Sequence, residues 1–222
     1  MKAFDFPLGA RLVIVCVAAM AMLPSSGFAG ASEPRDGAYG WDGRPIEAPV
    51  PLELRGKSRE LVRLGSYLVN VAGGCNDCHS AGPQTEYTRG GNPYFGQPTV
   101  VNPATYLGGG RSFGSLIPGS PAIISRNLTP DRTGRPGGRS YSEFLDVFRT
   151  GTDLAHAHPS CSAAVLLDCL PAPFDGDLLQ IMPWPAYRSM QEWQIRAIYE
   201  YLRAVPCIEG PPAPSLLHND CY

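Results

Sequence analysis

The pentapeptide Cys75-Asn76-Asp77-Cys78-His79 constrains this 222-residue chain more than any other stretch. Two cysteines at i and i+3, followed directly by a histidine, have the spacing that is typical of c-type haem attachment. In that chemistry the two thiols add to the haem vinyl groups, and the histidine binds the iron as its proximal ligand. A thioredoxin-like pair would need a βαβ context and a zinc site would need a second ligand pair, and the sequence offers neither. The motif therefore predicts one covalently bound haem c.

The composition suits a single haem-enclosing domain. Hydrophobic residues make up 44% of the chain and the formal net charge is -2. A charge so close to neutral gives no electrostatic argument for binding nucleic acid or anionic membranes. The 25 glycines and 23 prolines predict that much of the chain forms loops.

The first 31 residues have the parts of an export signal. Lys2 and Arg11 supply positive charge, the apolar run Leu12 to Leu23 has the length of a signal core, and Ala29-Gly30-Ala31 offers a cleavage site. The apolar run is short for a membrane span, so an uncleaved anchor is the alternative. We divide the rest into a linker or draped segment (32–53), a haem domain (54–209) and a C-terminal tail (210–222).

The remaining cysteines predict disulfides. Cys16 lies in the apolar run of the signal, and the haem motif takes two more of the seven cysteines. Four then remain, namely Cys161, Cys169, Cys207 and Cys221. An even remainder in an exported protein favours two disulfides. Proximity in sequence favours pairing 161 with 169 and 207 with 221, although four cysteines allow three pairings.

Apolar periodicity predicts a helix from about Leu54 to Ala72. Its apolar stripe falls on Leu61, Leu64, Leu68 and Val71. Gly65 in its middle would cost about 1 kcal/mol relative to alanine in an ordinary helix, which suggests close passage of another helix.

Two capping boxes predict two further helices. One begins at Ser140 with Glu143 and ends at Gly151; the other begins at Ser189 with Glu192 and ends before Pro206. No strand-rich region is evident. The expected fold class is therefore all-α, with long loops around one haem.

The sixth ligand of the iron is expected from a methionine. Met182 lies in a proline-bounded loop, Gln180 to Pro185, and a weak thioether ligand needs such a rigid setting. Met190 is the rival methionine, which the predicted helix would place in its first turn. His156 and His158 could instead supply a second histidine ligand.

Together these motifs resemble the single-haem class I cytochrome c family, and within it the electron-transfer cytochrome c subunits of bacterial periplasmic dehydrogenases. The resemblance implies a cytochrome c-like fold in which the N- and C-terminal helices cross, at Gly65 and near Tyr201. It implies that His79 and Met182 bind the iron. The segments that carry it, besides the haem motif, are Asn127-Leu128-Thr129-Pro130-Asp131, Arg149-Thr150-Gly151, Met182-Pro183-Trp184 and Ala197 to Leu202.

The resemblance also implies that Asn127, Trp184 and Tyr187 lie near the haem or its propionates. This chain departs from the compact members by two insertions between the haem motif and Met182. They comprise residues 82–125 and 153–180.

An electron carrier in the periplasm, and not an enzyme, is the function that the resemblance implies. Its expected partners are a dehydrogenase as donor and a cytochrome or oxidase as acceptor. The alternative is a peroxidase-like haem enzyme or small-ligand sensor, which would need an open or displaceable sixth position. A single haem motif excludes a two-haem peroxidase within this chain. A structural subunit with an inert haem is the third hypothesis.

Overall fold

The computed structural model describes residues 48–82, 84–162 and 168–222 of the chain. The predicted export signal, Cys16 and residues 32–47 of the predicted linker lie outside these ranges. Within them, no helix is long and apolar enough to cross a membrane.

Two helices that meet at a glycine organise the described chain. Helix α1 (Arg59–Tyr67) packs against helix α5 (Glu192–Leu202). A Cβ atom on Gly65 would lie only 2.0 Å from the carbonyl oxygen of Ala197 and 2.6 Å from Cβ of Tyr201. The close helix contact predicted at Gly65 is therefore confirmed, and it requires a residue without a side chain.

The buried face of α1 differs from the predicted stripe. Val62, Gly65 and Ser66 are buried, whereas the leucines predicted for the core are half-buried and Val71 is 57% exposed. The contact of Gly65 with α5 determines which face of α1 is buried. Val62 and Ser66, three positions before and one position after Gly65, belong to the same face. A π-helical turn (Leu68–Ala72) then continues the helix, which rotates the later positions out of the predicted register.

Helix α2 (Cys75–His79) contains the haem motif and follows this turn directly. Helix α3 (Tyr141–Thr150) begins with the predicted capping box of Ser140 and Glu143 and ends at Gly151, whose φ is 75°. Both predicted ends of α3 are confirmed.

Helix α4 (Trp184–Tyr187) and α5 follow in the last third of the chain. The predicted start of α5 at Ser189 is wrong, because Gln191 caps the helix and forms its box with Gln194. The Gln191 amide donates to Gln194 Oε1 at 2.9 Å, and this contact determines the start two residues after the predicted one.

The predicted all-α fold class is wrong. Strands β1 (Ser112–Ser115) and β2 (Ala122–Ile124) pair as an antiparallel hairpin, with Ser112 opposite Ile124 and Ser115 opposite Ala122. The turn is fixed by Ser120, whose Oγ donates to the carbonyl of Ile117 at 3.0 Å. The strands are very short and β1 has no alternating burial, so they leave no period-two signal in the sequence.

Both predicted disulfides are present. Cys161 is bonded to Cys169, and Cys207 is bonded to Cys221. The second bridge closes the C-terminal tail, in which Leu217 is buried and belongs to the 3₁₀ turn Ser215–Leu217. The tail therefore lies against the body of the protein.

The hydrophobic core lies between α1, α3 and α5. Its aromatic centre is Phe144, whose ring is 4.8 Å from Phe148 and 5.3 Å from Tyr199, centroid to centroid. The other large core side chains are Val62, Val69, Tyr106, Leu107, Ile195, Ile198, Tyr201 and Leu202.

We predict that Gly65→Ala lowers the free energy of unfolding by about 2–3 kcal/mol, because the added methyl group meets backbone atoms of α5 that cannot move aside independently. Guanidinium denaturation measures this. Gly56→Ala is the control: its backbone has φ of 69° but nothing within 4 Å of the new methyl group, so we expect a loss near ~1 kcal/mol. Equal losses in the two variants would contradict the close helix contact.

Candidate functional site

A cavity of about 640 Å³ opens inside the described chain. Cys75, Cys78, His79 and Met182, the four residues predicted to hold the haem, all line it. Its walls are mostly apolar, as a porphyrin requires. The apolar lining includes Leu68, Val69, Ile123, Leu128, Phe144, Phe148, Leu154, Leu170, Leu178, Leu179, Ile198 and Leu202.

Helix α2 places the haem motif on one helical face. Gly74 precedes it with φ of 53°, a left-handed conformation that favours glycine and allows the chain to turn sharply into α2. Cys75, Cys78 and His79 stand at i, i+3 and i+4, so their side chains share a face of this single turn. The sequence spacing thus becomes a spatial cluster.

The two thiols are free cysteines of low acidity. Burial is the main cause that raises the pKa of Cys75 to about 12, and it also raises the pKa of Cys78. Reactive cysteines of the thioredoxin type have the opposite property, a lowered pKa. The arrangement therefore argues against a thiol-disulfide exchange site.

His79 is held in the state that a metal ligand needs. Its Nδ1 lies 2.8 Å from the carbonyl oxygen of Arg126, and because a carbonyl can only accept, Nδ1 carries the proton. Burial lowers the pKa of His79, which keeps the imidazole neutral and leaves a free lone pair on Nε2. Sequence reasoning had not identified this acceptor, since any residue type can supply a backbone carbonyl.

A glycine brings the accepting carbonyl close to α2. The Gly109 amide donates to the carbonyl of His79 at 2.8 Å. A Cβ atom on Gly109 would lie 2.4 Å from the carbonyl carbon of Arg126, and its φ is 74°. Only glycine therefore fits between His79 and the segment that orients it.

The Arg126 side chain brings positive charge to the cavity wall. Its Nη2 lies 2.5 Å from Oδ1 of Asp153. Asp153 is only 5% exposed and also accepts the backbone amide of Ala155 at 2.9 Å, so the ion pair is fixed in place. The other guanidinium N–H groups of Arg126 are suited to donate hydrogen bonds to the carboxylates of a porphyrin.

The loop of Met182 is anchored at both ends. The Leu179 amide donates to the carbonyl of Gly151 at 2.7 Å, and Trp184 Nε1 donates to the carbonyl of Leu179 at 3.1 Å. The Trp184 ring fills the space beside Gly151, where a Cβ atom would lie 2.2 Å from Cε2. Trp184 therefore fixes the loop and is not among the residues that line the cavity.

Ile181, directly before Met182, has φ of 69°. This backbone conformation is uncommon for a β-branched residue and is typical of segments that the surrounding structure holds in a strained shape. The chain turns tightly here, because the Met182 amide donates to the carbonyl of Gln180 at 2.8 Å.

The three rival ligands lie in different settings. Met190 lines the cavity, but it precedes α5 instead of lying in its first turn, and its carbonyl accepts from Arg149 Nη1 at 2.6 Å. His158 also lines the cavity. His156 is not among the lining residues, and its largely exposed ring has Nδ1 3.6 Å from Oδ1 of Asp177.

Tyr187 and Asn127 were also predicted to lie near the haem. Tyr187 lines the cavity and stacks on Phe148, with ring centroids 5.8 Å apart. Asn127 also lines it, but its side-chain amide donates to the carbonyls of Ile208 at 2.7 Å and Leu217 at 3.1 Å. Asn127 therefore fastens the C-terminal tail.

A comparison with curated proteins finds one distant relative. The gluconate 2-dehydrogenase cytochrome c subunit of Pantoea cypripedii is 28% identical over 142 residues, which cover 64% of this chain and 22% of the relative. The match thus spans about a fifth of that relative's length. No family model matches the chain, and no solved structure matches it. This chain is therefore similar to a cytochrome c subunit of a dehydrogenase.

A buried carboxyl group lies beside α2. Glu86 is only 5% exposed, and burial, reinforced by a hydrogen bond with Asp77 of the haem motif, raises its pKa to about 7. The folded protein therefore keeps a proton on Glu86 between about pH 4.5 and 7, where the unfolded chain releases it. The contribution of Glu86 to stability is therefore fully present below about pH 4.5 and is lost as the pH rises through 7.

We predict that Glu86→Gln removes this pH-dependent loss of stability. The difference in unfolding free energy between the variant and the parent should shift in favour of the variant by about 1–2 kcal/mol between pH 5 and pH 8. Chemical denaturation at a series of pH values measures it. Glu60→Gln serves as control, because hydrogen bonds at the start of α1 lower the pKa of Glu60, and its loss should leave the decline in place. A decline that persists in Glu86→Gln would refute the assignment.

Proposed function

We propose that this protein is an electron-transfer protein that carries one haem c, bound covalently through Cys75 and Cys78, with His79 and Met182 as iron ligands. The observation that carries the proposal is that all four residues line one apolar cavity. The similarity to a cytochrome c subunit supports the same reading.

Haem c, when bound, supplies a one-electron couple between ferrous and ferric iron. His79 contributes a neutral imidazole in a fixed orientation, because its Nδ1–H is committed to Arg126. Met182 contributes a thioether, which favours the ferrous state and so raises the reduction potential. With both residues holding the iron, little would reorganise on electron transfer, and the apolar walls of the cavity would limit the access of water.

We further propose that the protein is exported to the periplasm by residues 1–31, and that residues 54–209 form its haem domain. A dehydrogenase would be its electron donor, as the name of the relative suggests, and a cytochrome or oxidase its acceptor. Such redox encounters typically use small and transient interfaces.

Visible absorption spectra of the purified holoprotein, oxidised and reduced, test the proposal. We expect a low-spin spectrum in both states and, in the ferric state, the weak far-red band that is characteristic of histidine–methionine ligation. A high-spin spectrum, or rapid binding of carbon monoxide or cyanide, would instead support the haem enzyme or small-ligand sensor. Absence of covalently bound haem would refute the proposal entirely.

We predict that Met182→Ala leaves the haem attached, abolishes the far-red band and lowers the reduction potential by on the order of 100 mV, because the thioether no longer stabilises ferrous iron. Potentiometric titration measures the shift. Met190→Ala is a matched control, since Met190 lines the same cavity. If Met190→Ala lost the band and Met182→Ala kept it, Met190 would be the ligand.

A further inference from the structure

The C-terminal tail, Gly210–Tyr222, lies against the segment that accepts the His79 hydrogen bond. The amide of Asn127 donates to the carbonyl of Leu216 at 3.1 Å. Asn219 Nδ2 donates to the carbonyl of Thr129 at 2.6 Å, and the amide of Arg132 donates to the carbonyl of Asp220 at 2.6 Å. Cys207–Cys221 closes the loop that contains these contacts.

One peptide group joins the tail to His79. The carbonyl of Arg126 and the amide N–H of Asn127 belong to the same planar unit, so they point in opposite directions. The carbonyl accepts from His79 Nδ1 at 2.8 Å while the N–H donates to Leu216 at 3.1 Å. The result is a continuous chain of hydrogen bonds from the imidazole, through this peptide group, to the tail.

The Arg126–Asn127 peptide group is restricted on one side by Gly109 and on the other by the tail. A Cβ atom on Gly109 would lie 2.5 Å from the amide nitrogen of Asn127, so one side is closed by backbone. The Asn127 side chain, which is 3% exposed, bonds to Ile208 and to Leu217 of the tail. Release of the tail would therefore remove both the partner of the peptide N–H and a partner of the neighbouring side chain.

We propose that the C-terminal tail is a positioning element for His79, which holds the Arg126–Asn127 peptide group so that its carbonyl binds Nδ1–H. Hydrogen bonds in a chain polarise one another, and a stronger acceptor on Nδ1–H makes the imidazole a better donor to iron. Better donation favours ferric iron. Loosening the tail should therefore raise the reduction potential. This inference rests on the proposed function.

The test opens the tail disulfide in the full-length holoprotein with the double variant Cys207→Ser/Cys221→Ser. Hydrogen exchange of the His79 Nδ1 proton, followed by NMR in the reduced protein, reports opening of its hydrogen bond. We expect exchange about tenfold faster or more, and a several-fold larger ferrous-to-ferric ratio at a fixed ambient potential. Cys161→Ser/Cys169→Ser is the matched control, and we expect both quantities to stay unchanged in it.

A second variant keeps the inference testable if the double variant does not fold. Asn219→Ala removes the side-chain bonds to Thr129, and we expect a smaller shift in the same directions. Because Asn219 also lines the cavity, the exchange rate of the His79 Nδ1 proton is the deciding measurement for this variant. Unchanged exchange and potential in a tail variant whose unfolding free energy has fallen would overturn the inference, because the tail would then only add stability. Equal shifts in both disulfide variants would also overturn it. Failure of the proposed function would appear earlier, as wild-type protein without a low-spin haem.

Discussion

The hydrogen bond between His79 Nδ1 and the carbonyl of Arg126 is the interaction on which the candidate site depends. It joins α2 to a segment about fifty residues later, and it decides the tautomer of the imidazole. Three parts of the chain hold that segment: the backbone at Gly109, the buried carboxylate of Asp153 and the C-terminal tail. Each lies in a loop or a tail, so the precision of the site comes from loops held by close backbone packing, a buried ion pair and hydrogen bonds.

The helices supply the frame to which these loops attach. At the crossing of α1 and α5, Asn70, Tyr106 and Tyr201 form a buried hydrogen-bonded cluster, with the Tyr106 hydroxyl 2.5 Å from Asn70 Oδ1 and 2.7 Å from the Tyr201 hydroxyl. Tyr106 belongs to the loop that leads to Gly109. The cluster therefore links the helix crossing to the loop that positions His79. A fully satisfied polar cluster of this kind favours one arrangement over near alternatives.

Sequence reasoning succeeded where a local rule determines the structure. The capping box of Ser140, the C-cap at Gly151 and the two disulfides follow from short-range chemistry, and the helix contact at Gly65 was marked by an otherwise costly glycine. It failed where long-range packing decides. The buried face of α1 is set by α5, and the β-hairpin is too short to leave a periodic pattern. The sequence also gives no sign that the Arg126 carbonyl accepts the hydrogen bond from His79, because every residue type has a backbone carbonyl.

The two sides of the cavity are built by different physical means, and the difference matches what each proposed ligand requires. An imidazole binds iron strongly once its tautomer and orientation are set, so hydrogen bonds suffice on the His79 side. A thioether binds weakly, so its loop must be rigid before the ligand arrives. On the Met182 side this rigidity comes from Trp184 packed on Gly151 and from the left-handed backbone of Ile181. A left-handed β-branched residue costs free energy and persists only where the surrounding structure holds it, and neither neighbour of Met190 has this conformation. The loop of Met182 is therefore the better prepared of the two methionine positions for a weak ligand.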